Sequence, residues 1–316
     1  MSTLVGLCRN ATTFSKTGEL NEDAFRQFLQ RFVDAKIGVY IASGGSGEGH
    51  ALTWEELRRV YQIGVEVCKG KVQVNANLPE QSTARATIEH ARLAIESGVE
   101  IVNIYGPSTL HGYRPREREY LAYHDTILSA IKHPIALAPN PSIGYTPKPA
   151  VIADLCHKYH QVVAVNLASL NASYFVALKD RLSRDVALNV TLDGTPITLA
   201  LGAAGIIGGD FNIIPKTLRR YLDLYESKKF DELAIVYAEI ERCAKYLRDP
   251  RWFASSPRGI KMAMKVLKLP GGEGGVREPY LMPLDEEVEE FADGLLRLRV
   301  PEIQELARAA GLSIPT

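Results

Sequence analysis

Eight short, mostly apolar runs, at 3–7, 39–42, 72–75, 101–105, 135–138, 162–166, 186–190 and 205–208, each lead into a segment of helical periodicity. Runs that are apolar almost throughout suit parallel strands buried on both faces. The segments between them carry helix signals of their own. Asn21 is placed to cap a helix whose apolar stripe is Phe25, Phe28, Leu29, Phe32 and Val33, spaced i, i+3, i+4, i+7 and i+8. Thr53 and Glu56 form a capping box for the next helix. Thr83 opens a third, with Ile88, Ala91, Ala94 and Ile95 on one face and Gly98 as its stop. This alternation predicts an α/β fold. Its regularity, with no convincing dinucleotide fingerprint in any unit, favours a closed (β/α)8 TIM barrel over a doubly wound sheet.

The last barrel helix is expected at 215–225, and beyond it the strand signal disappears. Helical patterns continue at 230–247, 260–267, 284–298 and 302–310, with Pro257 suited to an early helix position and a glycine-rich loop at 270–275. The sequence therefore reads as a barrel over 1–225 and a C-terminal helical appendage over 226–316, packed on the barrel. A chain of 316 residues is long enough for both, since such barrels occupy about 250 residues.

Charge and cysteine content narrow the functional classes. Lys plus Arg and Asp plus Glu are equal at 37 each, so no basic stripe points to nucleic acid. Cys8, Cys68, Cys156 and Cys243 are far apart and form no CxxC pair, which suits small apolar residues in a reducing cytoplasm. No stretch reaches the roughly 18 apolar residues of a membrane span, and the N-terminus has no charged leader before an apolar run. A cytoplasmic protein with a small-molecule ligand is expected, with no nucleic acid, membrane or cofactor involved.

In barrels of this kind the chemistry sits at the C-terminal ends of the strands and in the loops after them. After the second strand comes Ser43-Gly44-Gly45-Ser46-Gly47-Glu48-Gly49, which serves either as a backbone cradle for a carboxylate or phosphate or as a tight turn. The loop after the fourth strand carries His111, Tyr113 and Arg114. His111 is either a proton-transfer group or a surface loop residue. Tyr145, after the fifth strand, is either a proton donor or part of a packed wall. Asp193, after the seventh, is either a base or a helix cap. The sixth strand ends at Asn166, whose amide can orient a carbonyl or hydroxyl by hydrogen bonding. The histidines show no HxH or HExxH spacing, and no metal site is called.

Several motifs together resemble the dihydrodipicolinate synthase and N-acetylneuraminate lyase family. Gly44-Gly45-Ser46-Gly47-Glu48 is similar to its G-x-[ST]-G-E signature, and the segment 51–56 resembles the stretch just downstream of that signature in the family. Further matches are Tyr113-Arg114-Pro115, Asn140-Pro141-Ser142, the Gly202–Gly205 approach to the eighth strand, and Arg277-Glu278-Pro279. The resemblance spans nearly the whole chain. It implies a class I lyase, with a lysine ending strand six that forms a Schiff base with a 2-oxo acid, a proton-shuttling tyrosine ending strand five, and a signature hydroxyl holding the carboxylate. It also implies a homo-oligomer, a dimer or tetramer.

Carried onto this sequence, the lysine falls on Asn166 and the tyrosine on Ala138, so both catalytic positions are degenerate. The first signature hydroxyl becomes Gly45 and the second is kept as Ser46. An imine needs a primary amine, and no pKa tuning makes an amide into that nucleophile. Gly45, Ser46, Gly47, Arg114, Asn140 and Asn166 remain as binding candidates, with His111, Tyr145 and Asp193 as catalytic candidates. Three readings stand: a carbon–carbon or carbon–oxygen lyase working on a small 2-oxo-acid-like carboxylate without an imine, a non-catalytic binder, or a structural partner of an active paralogue.

Overall fold

The computed structural model describes residues 4–109, 112–168, 171–193, 195–253 and 257–315. Eight parallel strands close on themselves in chain order. They are β1 (Val5–Arg9), β2 (Gly38–Ile41), β3 (Val74–Asn77), β4 (Ile101–Tyr105), β5 (Ile135–Ala138), β6 (Val162–Leu167), β7 (Ala187–Val190) and β8 (Gly205–Gly208). Pairing of β1 with β8, from Val5 opposite Gly205 to Cys8 opposite Gly208, completes the ring. The expected (β/α)8 barrel is the fold observed.

The barrel helices are α1 (Glu22–Asp34), α2 (Trp54–Cys68), α3 (Ala84–Glu96), α4 (Glu117–Ala130), α5 (Pro149–Lys158), α6 (Ala172–Lys179), α7 (Thr195–Ala200) and α8 (Pro215–Glu226). Their starts follow from local chemistry. Asn21 accepts from the Ala24 amide, Thr53 and Glu56 complete both halves of the capping box, and Thr83 accepts from the Ala86 amide. Phe25, Phe28, Leu29 and Phe32 of α1 are buried against the sheet, as their spacing requires. After α8 come α9 (Phe230–Leu247), α10 (Pro250–Phe253), α11 (Arg258–Val266), α12 (Asp285–Leu296) and α13 (Pro301–Ala309). Pro257 caps α11 instead of standing inside it.

Two strands lie two residues further along than their apolar runs suggest: β1 extends to Arg9 and β3 to Asn77. The cause is the inside of the barrel. Such interiors are usually filled by bulky branched side chains. Here the inward positions include Asn75, Asn77, Asn103, Asn166 and Asn189, all buried, together with Tyr40 and Tyr105. By the two-residue alternation of a strand, Ala136, Ala138 and Ala164 share that inner face. Apart from Leu7 and Ile207, which cluster with Tyr40 inside, branched residues are mostly on the outer face, where Val39, Ile41, Val74, Val102, Ile104, Leu137 and Val165 join the main core.

Candidate active site

At the C-terminal mouth of the barrel lies a cavity of about 450 Å³. Arg9 reaches it from the end of β1, Ser43, Gly45 and Ser46 from the loop after β2, and Glu80 from the loop after β3. Tyr105 comes from β4, Asn140 and Ser142 from the turn after β5, Thr191 and Asp193 from the loop after β7, and Asp210 from the turn after β8. The C-terminal helices close one side with Leu247, Arg248 and Ile260. The lining is polar, with few apolar side chains.

The glycine loop is held from within. Ser43 Oγ accepts from the Gly47 amide at 3.0 Å, and the Glu48 and Gly49 amides are committed to Gly45 O and Ser43 O. The Glu80 carboxyl rests on the loop at Gly44, where a Cβ would push the end of the glutamate side chain aside. Gly209 likewise lies against the Ser46 hydroxyl, which a Cβ would displace.

The charges in the mouth oppose one another. Asp210 and Arg248 form a two-pronged ion pair, with Arg248 Nε donating to Oδ1 at 2.9 Å and Nη2 to Oδ2. Arg9, Glu80 and Asp193 make no ion pair among the described residues. Burial pushes the Glu80 carboxyl above its ordinary pKa, opposed by its own backbone amide and by the charges of His50 and Arg9. Burial likewise raises the Tyr105 phenol. Loss of hydration explains both shifts, since Tyr105 is buried and Glu80 partly so.

Below the mouth, four asparagine amides from β7, β6, β4 and β3 form a row that passes over the alanines of β5. Asn189 Nδ2 donates to Asn166 Oδ1 at 2.9 Å, and Asn166 Nδ2 to Asn103 Oδ1 at 2.8 Å. Asn103 Nδ2 donates to Asn77 Oδ1, and Asn77 Nδ2 to the Tyr105 hydroxyl at 3.1 Å. The Asn166 amide is therefore occupied inside the barrel, and it does not line the cavity.

The sequence candidates separate accordingly. Gly45, Ser46, Asn140 and Asp193 meet in the mouth. Gly47 lies behind the loop, where a Cβ would press on Ser43 N and Asn10 O. Ala138 is buried beside Tyr105 and Ile143. Tyr145 and Arg114 line a different hollow, of about 460 Å³, with Tyr120 and Lys148, and the Tyr145 hydroxyl donates to Pro107 O at 2.9 Å. His111 lies outside the described residues. Arg9, Glu80, Tyr105 and the Asp210–Arg248 pair were missed. A signal for two of them existed: Arg9 and Tyr105 each stand two residues beyond an inward residue, Leu7 and Asn103, and so share its face.

Among the described residues no lysine lines the mouth. Lys261, adjacent in sequence to Ile260, is fully buried, and its amine is turned away. Nζ donates to Thr12 O and, at 2.8 Å, to Gly275 O, and it lies 3.3 Å from Glu48 Oε1. Burial lowers its pKa, with Glu48 acting against that shift.

Comparison with known proteins decides the family. The model of the dihydrodipicolinate synthetase family matches residues 7–297. The chain belongs to this family. Its family relatives include a 4-hydroxy-tetrahydrodipicolinate synthase of Methanococcus maripaludis strain C5, 27% identical over 259 residues, covering 82% of this chain and 86% of the relative. A synthase of the same name from Chlorobium phaeobacteroides is 24% identical over 275 residues, covering 86% and 88%. Among solved structures, the dihydrodipicolinate synthase of Aquifex aeolicus superposes with a TM-score of 0.82 at 18% identity, covering 99% of this chain and all of that one. A family prophage protein of E. coli K12, solved with pyruvate, gives 0.84 at 17% identity, covering 95% and 100%. At these identities the structures establish the family fold alone. No helix among the described residues is long and apolar enough to cross a membrane.

Proposed function

We propose that this dihydrodipicolinate synthetase-family protein is a lyase that binds a small, 2-oxo-acid-like carboxylate and acts on it without a lysine Schiff base. The observation that carries the reading is Asn166 at the end of β6, its amide engaged by Asn103 and Asn189. Gly45, Ser46 and Arg9 offer the carboxylate hydrogen bonds and one unpaired positive charge. Glu80 and Asp193 supply carboxyl groups for proton transfer, and the raised pKa of Glu80 moves it toward the range where a general acid or base operates. The 1–225 barrel carries the chemistry, and the 226–316 helices wall the mouth with Leu247, Arg248 and Ile260. A homo-oligomeric assembly and a cytoplasmic location belong to the same reading.

Borohydride reduction in the presence of pyruvate, followed by intact-mass measurement, tests the absence of an imine. The expected mass is that of the unmodified chain. A stable adduct on any lysine would return the protein to ordinary imine chemistry. Thermal-shift titration with pyruvate tests carboxylate binding separately, because a ligand that binds only the folded state raises the unfolding midpoint.

A further inference from the structure

The row of amides has a direction. Each asparagine donates to the oxygen of the next, from Asn189 through Asn166 and Asn103 to Asn77, and the row ends on a hydroxyl that lines the cavity. Asn77 Nδ2 thus donates to the phenolic oxygen, and among the described residues no hydrogen bond takes up the phenol's own hydrogen. A hydroxyl whose oxygen accepts in this way can still donate that hydrogen.

Tyr105 is held in place as well as in polarity. It lies opposite Ala138 in the β4–β5 pairing, and its ring packs on Ala138 and Ile143. The small side chain at 138 leaves the ring its room. Tyr105 is 6% exposed, so the phenol competes with little bulk water for whatever occupies the mouth. Arg9 and Ser46 line the same cavity, giving an oxygen-rich ligand a second set of donors there.

We propose that Tyr105 is the cavity's fixed hydrogen-bond donor to a ligand oxygen, and that Asn166 is a positioning residue acting on it through Asn103 and Asn77. The inference rests on the small-carboxylate reading for the identity of the ligand, and on the amide row alone for the polarity of the phenol. It gives Asn166 a task away from the ligand, and it selects ligands that present a carbonyl or carboxylate oxygen at this point.

Protein labelled with [13Cζ]tyrosine separates the two parts. The Tyr105 resonance is the one absent from Tyr105→Phe. Without ligand, Asn77→Leu is expected to shift it, and Asn166→Leu to shift it in the same direction by less. Asn166→Asp keeps the shape and removes the amide NH2 donor, so it serves if the leucine variant does not fold. Ser142→Ala, outside the row, is the control for general disturbance. A Tyr105 resonance that moves with Asn77 but is unmoved by either Asn166 variant overturns the positioning role.

Pyruvate, lactate and acetate are then titrated into the wild-type protein. A shift of the Tyr105 resonance with at least one of them, and binding of that probe weakened about tenfold in Tyr105→Phe, supports the donor role. If none of the three moves it, the donor role fails. A shift with lactate or acetate but not pyruvate would count against the 2-oxo-acid reading while leaving the donor role standing.

Discussion

Polar groups are buried in two parts of this protein, by opposite means. Inside the barrel they are neutral: the amides of Asn77, Asn103, Asn166 and Asn189 and the Tyr105 phenol hydrogen-bond one to the next, while Asn75 has no hydrogen-bond partner among the described residues. Behind the glycine loop they are charged. Lys261 and Glu48 are both fully buried, and Arg277 donates its backbone amide to Glu48 Oε2 at 2.8 Å while clamping both oxygens of Glu56 at 2.6 Å. The charged cluster fastens the C-terminal segment to the loop that forms the mouth, and Glu48 holds the left-handed φ of 52° that the loop's turn needs. A buried ion cannot lose its partner cheaply, whereas a neutral amide loses at most its own hydrogen bonds. The charged cluster is therefore a rigid anchor. In the neutral interior a single exchange should cost less, because it orphans hydrogen bonds and no charge.

The largest effect expected from this contrast is at Lys261. Lys261→Met leaves Glu48 buried without its cation and should cost about 3–5 kcal/mol of stability, read by urea denaturation. Pairing it with Glu48→Gln should recover part of the loss, because the uncompensated charge is then gone. A single-variant cost below about 1 kcal/mol would contradict the contrast, since exposed pairs are worth no more than that.

A middle-sized effect is expected in the amide row. Asn166→Leu removes the acceptor of Asn189 and the donor to Asn103, and should cost about 1–3 kcal/mol in the same denaturation experiment. Asn166→Leu combined with Asn189→Leu should cost less than the two single changes added, because the orphaned Asn189 donor is removed with its partner. Strict additivity would mean that the row acts as separate residues.

The same contrast explains how much was legible in the sequence. The outer face of the barrel was readable because Val, Ile and Leu there obey the ordinary apolar rule, and β4, β5 and β8 fall on their predicted residues. The capping residues Asn21, Thr53 and Thr83 were readable because their hydrogen bonds are local. The rule failed where strands carry polar side chains inward. Arg9 and Asn77 end strands that an apolar pattern closes two residues early, and asparagine is a poor strand former on its own. Glu80 and Arg248 were hidden for a different reason. Neither belongs to a motif, and only the closed barrel brings a loop after β3 and the end of α9 to one cavity. The separation of Tyr145 and Arg114 from the mouth also depends on loop paths that sequence spacing does not encode.

The smallest effect concerns Glu80, the mouth's half-buried carboxyl, faced by Arg9, His50 and Tyr105. Its pKa is raised in the folded protein, chiefly by burial. Between the ordinary carboxylate value and the raised one, the folded state holds a proton that the unfolded chain has lost. Its contribution to stability is therefore full below the ordinary value and is lost as pH rises through the raised value. Above that, the charged group is a burden on the fold. Glu80→Gln keeps the shape without the charge, so it should unfold at a higher temperature than wild type at neutral pH, and the gap should close on acidification. An advantage that persists unchanged into acid would mean that glutamine packs better against Gly44, and that the carboxyl's charge is already compensated within the mouth.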